Sequence, residues 1–390
     1  MNRPSRSDWT AWVGEQCSSI ANEGRWRSTK VFDALGPSGV LLDNHDRARS
    51  VVSFASNDYL GLSHHPVVIG AAHAALDRWG TGTGASRLVV GTRPIHRELE
   101  SALAAWKRCE AAVLFPTGYA ANLGVLTTFG GPGVRIFSDE LNHASIIDGC
   151  RLSGADVRIY RHRDLEHLEA LLVAGRREGN GRTIVISDSV FSMDGDIAPI
   201  GDLVDCSARH GSLLIVDEAH GVLEPTPTAE RNDVPLLRMG TLSKTLGSLG
   251  GFIAGPRSWI DLLVNRARSF IFTTASTPAD TAAALAALGI VTSAEGDRLR
   301  ERLRHHVQRV RPRHPSPIIP VILGSEHDAL AASDRLLDVG LWVPAIRPPT
   351  VPTGASRLRI ALSASHQDHE IDALIAALAT LDAEGRRHDR

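Results

Sequence analysis

The sequence predicts an α/β fold: a large domain with a mainly parallel sheet between helices, then a small C-terminal α+β domain. Two observations carry that expectation. From about residue 90 to 255, short apolar runs alternate with stretches of helical spacing. This is the pattern of βα units whose sheet is covered on both faces. After residue 270 the character changes. A long Ala/Leu/Arg-rich helical stretch over about 278–311 runs into the proline cluster Pro312, Pro315, Pro317 and Pro320, which breaks regular structure.

Taken in order, residues 1–50 read as an N-terminal helix and a turn-rich arm. Ile95, Leu99, Leu103 and Trp106 fall at helical spacing, and the apolar run 111–115 follows as a strand. Further strands are expected at 134–138, 156–160, 183–187, 213–217 and 251–254, with helical stretches between most of them. Beyond the prolines, 318–323 and 357–362 read as strands, flanking a helix near 326–339 and followed by one near 368–383. The expected organisation is an arm (1–50), a large domain (51–275), and a linking helix with the small domain (276–390).

Bulk composition excludes several classes. At 390 residues, 43% apolar and 22% charged, the chain matches an ordinary soluble globular enzyme. Its formal net charge of −2 comes without a basic tract, so no nucleic-acid partner is expected. No run of about 18 uninterrupted apolar residues exists, so no membrane span is expected. Residues Met1 to Trp12 lack an apolar signal-peptide core. Cys17, Cys109, Cys150 and Cys206 are scattered, without a C-x-x-C pair. They predict neither a zinc site nor a disulfide framework, but buried free thiols in a reducing cytoplasm.

Two segments carry the chemistry. Leu213-Leu-Ile-Val-Asp-Glu-Ala-His-Gly221 is an apolar run that stops at Asp217, as a buried strand with an acid at its carboxyl end would. Met239-Gly-Thr-Leu-Ser-Lys-Thr-Leu-Gly247 places Lys244 in a Gly/Ser/Thr-rich loop after another short apolar stretch. In open α/β sheets, ligands sit beyond the carboxyl ends of strands. A lysine and an acid delivered to that edge suit pyridoxal phosphate, the lysine as covalent anchor and the acid paired with the pyridine nitrogen. Taken singly, each residue has a plainer reading: a strand-end acid often caps the next helix, and a lysine among glycines is usually solvated. Asp217-Glu-Ala-His220 also spells the acidic box of a nucleotide motor. That needs a glycine before the lysine of a phosphate loop, where this chain has Ser243. Gly82-Thr-Gly-Ala-Ser86 resembles half a dinucleotide fingerprint, but Arg87 stands where further glycine spacing would be needed.

Other strand ends add to these two. Pro116-Thr-Gly-Tyr-Ala120 opens a helix after 111–115. Free N–H groups at a helix start favour phosphate, with Gly118 allowing close approach and Tyr119 nearby; an ordinary βα turn is the alternative. His143, after the strand ending at Ser138, can stack on a flat cofactor or cap the next helix. Ser192 and His220 can reach the cofactor's phenolic oxygen. Phosphate loop, histidine, hydroxyl, acid and lysine thus follow separate strands in order.

With these residues assembled, the chain resembles the α-oxoamine synthase family of fold-type I pyridoxal-phosphate enzymes over about residues 50–380. The resemblance rests on Ser56-Asn-Asp-Tyr-Leu-Gly-Leu-Ser-His-His-Pro66, Gly84-Ala-Ser-Arg-Leu88, Asn142-His-Ala-Ser145, Val190-Phe-Ser-Met-Asp-Gly-Asp196, Val216-Asp-Glu-Ala-His-Gly221 and Thr241-Leu-Ser-Lys-Thr-Leu-Gly247. Ile346-Arg-Pro-Pro-Thr-Val-Pro352 and the Ser-His-His-Pro ending favour the branch that condenses L-alanine with a pimeloyl thioester, on CoA or an acyl carrier protein, for biotin synthesis. The resemblance implies that Lys244 anchors the cofactor, Asp217 partners the pyridinium, and His143 stacks on the ring. It implies that Ser192 and His220 contact the phenolic oxygen, and that Gly118, Tyr119 and Thr241 surround the phosphate. Thr274 would reach the phosphate of a neighbouring subunit in a homodimer. Asn57, Arg347, Thr350 and Arg359 fall on the substrate side. An N-terminal arginine joins them, with Arg27 preferred to Arg25.

One departure stands out. After Gly221 the family usually continues with a glycine-rich loop, where this chain reads Val222-Leu-Glu-Pro-Thr-Pro-Thr-Ala-Glu230. Two alternatives follow the resemblance: a glycine-using synthase of the same family, or a cofactor-binding homologue without catalysis. A methyl group distinguishes alanine from glycine and contributes only ~1–3 kcal/mol of discrimination.

Overall fold

The computed structural model describes residues 9–42, 47–179, 181–223 and 234–388. The first helix, α1 (Trp9–Asn22), buries none of its residues. Three short antiparallel strands follow, β1 (Val31–Ala34), β2 (Ser38–Leu42) and β3 (Ala48–Ser53). The predicted turn-rich arm is therefore largely a small sheet. Its strands are short and only half-buried, so the sequence alternation that marks a strand is weak there.

Next come α2 (Pro66–Trp79), α3 (Pro94–Trp106), β4 (Ala111–Phe115), α4 (Gly118–Phe129), β5 (Val134–Asp139), α5 (Ala144–Ser153), β6 (Asp156–Tyr160), α6 (Leu165–Arg177), β7 (Arg182–Asp188), α7 (Ile200–His210), β8 (Leu213–Asp217), β9 (Leu236–Thr241) and β10 (Gly251–Gly255). Strands β4 to β10 form one sheet of seven, in the order β4-β10-β9-β8-β7-β5-β6. Only β10 runs against its neighbours. Every residue of β4, β8 and β10 is buried, as expected of apolar runs sandwiched between helices. One apolar cluster, including Phe115, Ile136, Ile186 and Ile215, fills one face; another, including Phe137, Val185 and Leu214, fills the other. Each such side chain, fully buried, contributes roughly 1.5–3 kcal/mol.

The remaining helices are α8 (Arg257–Arg266), α9 (Arg268–Ile271), α10 (Pro278–Val291) and α11 (Ala294–Val310). Here the structure corrects the single helical stretch expected over 278–311. Ser293 ends α10 and starts α11: its hydroxyl accepts from the Glu295 N–H at 3.2 Å, and Glu295 and Asp297 occupy the new first turn, where acids suit the helix dipole. After the prolines come β11 (Ile318–Gly324), α12 (Glu326–Asp338), β12 (Leu341–Trp342), β13 (Ala345–Ile346), β14 (Ser356–Ala361) and α13 (Asp368–His388). Strands β11, β14 and β13 form a separate antiparallel sheet.

Strand β12 pairs in parallel with β3, so β3 spans the boundary expected at residue 50 and ties the start of the chain to its last third. A shared apolar cluster containing Phe54, Tyr59, Leu62, Leu246, Leu341, Leu358 and Ile360 continues that junction. All four cysteines are free, but Cys17 is exposed and Cys109 half-buried, so only Cys150 and Cys206 are the buried thiols expected. Cys17 sits on α1, none of whose residues is buried. Among the described residues, no helix is long and apolar enough to cross a membrane.

Candidate active site

Strand register builds the floor of the site. Asp188 ends β7 beside Asp217 at the end of β8, and Asp217 pairs with Met239 of β9. Asp217 is 3% exposed. Its Oδ1 accepts from the Ala219 N–H at 2.9 Å, and its Oδ2 accepts from Asn122 Nδ2 at 2.8 Å. The same Asn122 amide donates to Ser145 Oγ at 2.9 Å. Ser145 in turn donates to His143 Nδ1 at 2.7 Å, and its backbone N–H also reaches Nδ1 at 3.2 Å. Both contacts make Nδ1 an acceptor, so the ring proton of neutral His143 lies on Nε2. His143 therefore caps α5, one of its two expected roles, while the ring stays open to solvent on one side. Asp188 accepts from the His143 N–H at 2.8 Å. Burial, with Asp217 alongside, raises its pKa well above the usual carboxylate range.

Lys244 enters from the loop after β9. Gly247 allows that loop to turn: its φ is +57°, and a Cβ there would lie 2.3 Å from the Ser63 nitrogen. Lys244 Nζ lies 2.9 Å from His220 Nε2. Burial lowers the lysine's pKa, against the pull of Asp217 and Asp188. Burial, Lys244 and Arg359 together push the His220 pKa well below its ordinary value. Two nitrogen groups whose pKa values are both lowered thus face each other beside Asp188 and Asp217. On the other side of His220, Nδ1 lies 2.6 Å from Tyr59 Oη. Tyr59 is 3.2 Å from Asn57 Oδ1, which accepts from Arg359 Nη2 at 3.0 Å. Arg359 Nε donates to the Ser192 carbonyl at 2.6 Å.

The third wall is the start of α4. Thr117 caps it, accepting from the Ala120 N–H at 3.0 Å, which leaves other first-turn N–H groups for a ligand. A Cβ on Gly118 would lie 2.9 Å from Met239 Cε and 3.6 Å from Thr241 Oγ1. A Cβ on Gly251 of β10 would lie 2.6 Å from the Gly118 Cα, so it is Gly251 that lets this helix start come close to the sheet, and there Gly118 lies beside Thr241.

Comparison with known proteins bears on this arrangement. The family model described as Aminotransferase class I and II matches residues 49–378. The 8-amino-7-oxononanoate synthase of Methylobacterium nodulans is 49% identical over 343 residues, 86% of this chain and 88% of that protein. That of Anaeromyxobacter dehalogenans is 46% identical over 393 residues, 95% of each chain. The chain belongs to the α-oxoamine synthases, within the class I and II aminotransferase family. Among solved structures, a serine palmitoyltransferase from S. paucimobilis superposes with a TM-score of 0.87 at 28% identity, over 98% of this chain and 99% of that one. An 8-amino-7-oxononanoate synthase from Francisella tularensis superposes with a TM-score of 0.72 at 25% identity, over 87% of this chain and 99% of that one.

The fold is that of the fold-type I transferases, and the chain is a pyridoxal-phosphate enzyme of acyltransferase type, of the kind that serves biotin synthesis. The residues present fit the cofactor. The glycine cradle at Gly118 leaves room beside a helix start. Lys244 is half-buried, and its Nζ meets an imidazole rather than a carboxylate, an arrangement that suits an amine bonding to an aldehyde carbon. Asp217 keeps a buried carboxylate for a pyridinium.

Other sequence-predicted residues of this synthase are distributed unevenly. Arg27 donates to the Pro348 carbonyl at 3.5 Å, whereas Arg25 pairs with Glu23 at 3.0 Å and Glu326 at 3.7 Å. Arg347 donates to the Gly24 carbonyl and, at 3.2 Å, to the Trp26 carbonyl. Arg27 and Arg347 therefore clasp the N-terminal segment to the Arg-Pro-Pro loop. Thr350 is exposed on that loop, its N–H donating to the Arg347 carbonyl at 3.1 Å. Tyr119 is 42% exposed and turned toward Asp148. Thr274 is exposed and bridges Ser86, without a hydrogen bond to the Lys244 group among the described residues. Most of the unusual loop after Gly221 falls on 224–233, outside the described residues.

Sequence reasoning missed Asn122, Ser145, Asp188 and the role of Tyr59. Asn122 carried a signal: it is a fully buried amide in a helix otherwise lined with apolar and small residues, a position that demands a polar partner. It also missed Glu169, Cys206 and His210, whose metal-type donor atoms lie within 4.8 Å of one another. Cysteine and histidine sit four apart on α7, a spacing that a search for C-x-x-C passes over. Arg209 and His210 already pair with that carboxylate, at 2.7 and 2.6 Å.

Proposed function

We propose that this chain catalyses the decarboxylative condensation of L-alanine with a pimeloyl thioester, giving 8-amino-7-oxononanoate, carbon dioxide and the free thiol carrier. The observation that carries the reading is the continuous network from Lys244 through His220, Tyr59 and Asn57 to Arg359. It sets a proton-accepting amine and a carboxylate-binding guanidinium on one buried scaffold, as an α-amino acid substrate requires. The identity of alanine and of the acyl group rests on the similarity to the synthases above.

Bound pyridoxal phosphate supplies an electron sink for the carbanion formed at the amino acid's α-carbon. The residues do the rest. Asp217, held by Asn122 and the Ala219 N–H, favours the protonated pyridine nitrogen, because an adjacent carboxylate stabilises the charged form. The start of α4 with Gly118, and Thr241 beside it, hold the phosphate. His143 would stack on the ring, its Nε2–H fixed by the cap at Nδ1. Ser192 and His220 donate to the phenolic oxygen. Arg359 receives the alanine carboxylate, since a guanidinium fork matches its geometry. Lys244 Nζ, its pKa lowered by burial, takes the α-proton as a general base. Asn57, Thr350, Arg347 and Arg27 line the substrate side. A homodimer would bring Thr274 of one subunit to the phosphate of the other.

The deciding experiment supplies the cofactor-loaded chain with pimeloyl-CoA and either L-alanine or glycine, following thiol release and product mass. Thiol release with alanine and a product of 8-amino-7-oxononanoate mass are expected. Release with glycine alone would replace this reading with the glycine-using synthase. Cofactor uptake without thiol release from CoA or carrier-protein thioesters would favour a non-catalytic homologue.

A further inference from the structure

Tyr59 lies at the centre of the site's hydrogen-bond network. It is fully buried, in the cluster that joins the large sheet to the C-terminal third. Its hydroxyl has one proton and two possible acceptors: His220 Nδ1 at 2.6 Å and Asn57 Oδ1 at 3.2 Å. The asparagine oxygen already accepts from the Arg359 guanidinium at 3.0 Å, a charge-assisted bond that competes for its lone pairs. The shorter contact is to the imidazole. Burial pushes the phenol pKa up to about 12, so the proton stays on Tyr59 across the working range. His220 is neutral for the reasons already given, and a neutral imidazole carries one proton. If Nδ1 accepts from Tyr59, that proton is on Nε2, the nitrogen 2.9 Å from Lys244 Nζ.

We propose that Tyr59 is a positioning residue for this site: its hydroxyl holds His220 in the Nε2–H tautomer, aiming that N–H at Lys244 Nζ and, once pyridoxal phosphate is bound, at the phenolic oxygen. In the free protein, the N–H is aimed at Lys244 Nζ, 2.9 Å away, and favours the lone-pair-bearing form of the amine, the form that can bond to an aldehyde. In the loaded protein it polarises the phenolic oxygen. The Tyr59 hydroxyl bonds to His220 and Asn57, and in this role it acts through His220. The same chain runs through Asn57 to Arg359, so the group that receives the substrate carboxylate shares its scaffold with the group that orients the lysine. This inference rests on the proposed function for its consequence, but the tautomer belongs to the chain alone.

The test uses full-length protein, with and without pyridoxal phosphate, comparing wild type with Tyr59→Phe and with Tyr160→Phe. Tyr160 is also buried, lies on β6 at the sheet edge, and serves as the control. Imidazole ¹⁵N spectra of the cofactor-free protein, with the His220 signal identified by its loss in His220→Gln, read the tautomer directly. Wild type and Tyr160→Phe are expected to show Nε2–H, and Tyr59→Phe a shift toward Nδ1–H. In the loaded protein, the pH midpoint of the visible band should rise by about one unit in Tyr59→Phe alone, because a weakened donor at the phenolic oxygen leaves the lysine-derived nitrogen more basic. An Nδ1–H signal in wild type, or an unchanged His220 signal in Tyr59→Phe, would overturn the assignment. If wild type takes up no cofactor, the proposed function fails, and the nitrogen spectra still decide Tyr59.

Discussion

The floor of the site and the loops proposed to form its mouth are built in opposite ways. On the floor, Asp217, His220 and Arg359 are each 5% exposed or less and are held by side chains distant in sequence, such as Asn122 on Asp217 and Asn57 on Arg359. At the mouth, Arg27 and Arg347 sit on exposed loops and bond to backbone carbonyls. In the buried floor, removing one partner leaves another polar group without water or a bond. At the mouth, solvent takes the place of any lost partner. The floor should therefore tolerate almost no substitution, and the mouth should bend to many.

That contrast can be broken or sharpened experimentally. The largest effect belongs to Lys244→Ala: turnover and the visible band of the lysine-bound cofactor should vanish, while the unfolding midpoint stays near wild type. Near-normal condensation in this variant would remove the floor from the mechanism. Asp217→Asn should still bind cofactor but slow exchange of the alanine α-proton on the order of 10²-fold, measured by proton exchange into deuterated solvent. Unchanged exchange would deny Asp217 its electrostatic role. Arg359→Lys loses the bidentate fork and should raise the KM for alanine about tenfold, the equivalent of ~1.4 kcal/mol, with a smaller change for the thioester.

A pH-dependent effect comes next. His162 lies between Asp139 at 2.9 Å and Asp196 at 2.7 Å, and Arg163 also pairs with Asp196 at 3.1 Å. Burial alone would lower the His162 pKa, but its hydrogen bonds to the two carboxylates outweigh that and raise it to about 9. Because the folded value is raised, the stabilisation is full below the ordinary pKa of about 6.5 and is lost as pH rises through about 9. The unfolding midpoint of His162→Gln should fall below wild type at pH 6, and the gap should close above pH 9. A gap that widens with pH would mean that the clasp is not ionic. The smallest effect is expected at the mouth. Arg27→Ala should change the KM for the thioester only several-fold, and Arg25→Ala less still. A loss at Arg27 as large as that at Arg359 would erase the distinction between floor and mouth.

Legibility in the sequence followed the same division. Asp217 and Lys244 were readable because each ends an apolar strand at one sheet edge, and a parallel sheet gathers strand ends. Gly118 was placed by the same logic and Thr241 by the family resemblance, and the structure brings them side by side. Asn122 and Tyr59 were not read as site residues, because their partners lie 95 and 161 positions away. No local pattern encodes such pairings. The strands of the N-terminal arm escaped notice because half-exposed strands show little periodicity, and the break at Ser293 because a helix cap inside an Ala/Leu/Arg-rich run leaves the composition unchanged.

By itself, then, the sequence determined the alternation of strand and helix, the carboxyl-edge location of the chemistry and the residue types that meet there. These depend on short-range periodicity and on the uniform direction of parallel strands. Only the tertiary structure decided which groups hold one another. It put Asn122 under Asp217, Asp188 under His143 and Tyr59 against His220, and it left Lys244 facing an imidazole instead of a carboxylate. Hydrogen bonds and desolvation act over a few ångströms in space regardless of separation along the chain, so protonation and tautomer are properties of the packed site.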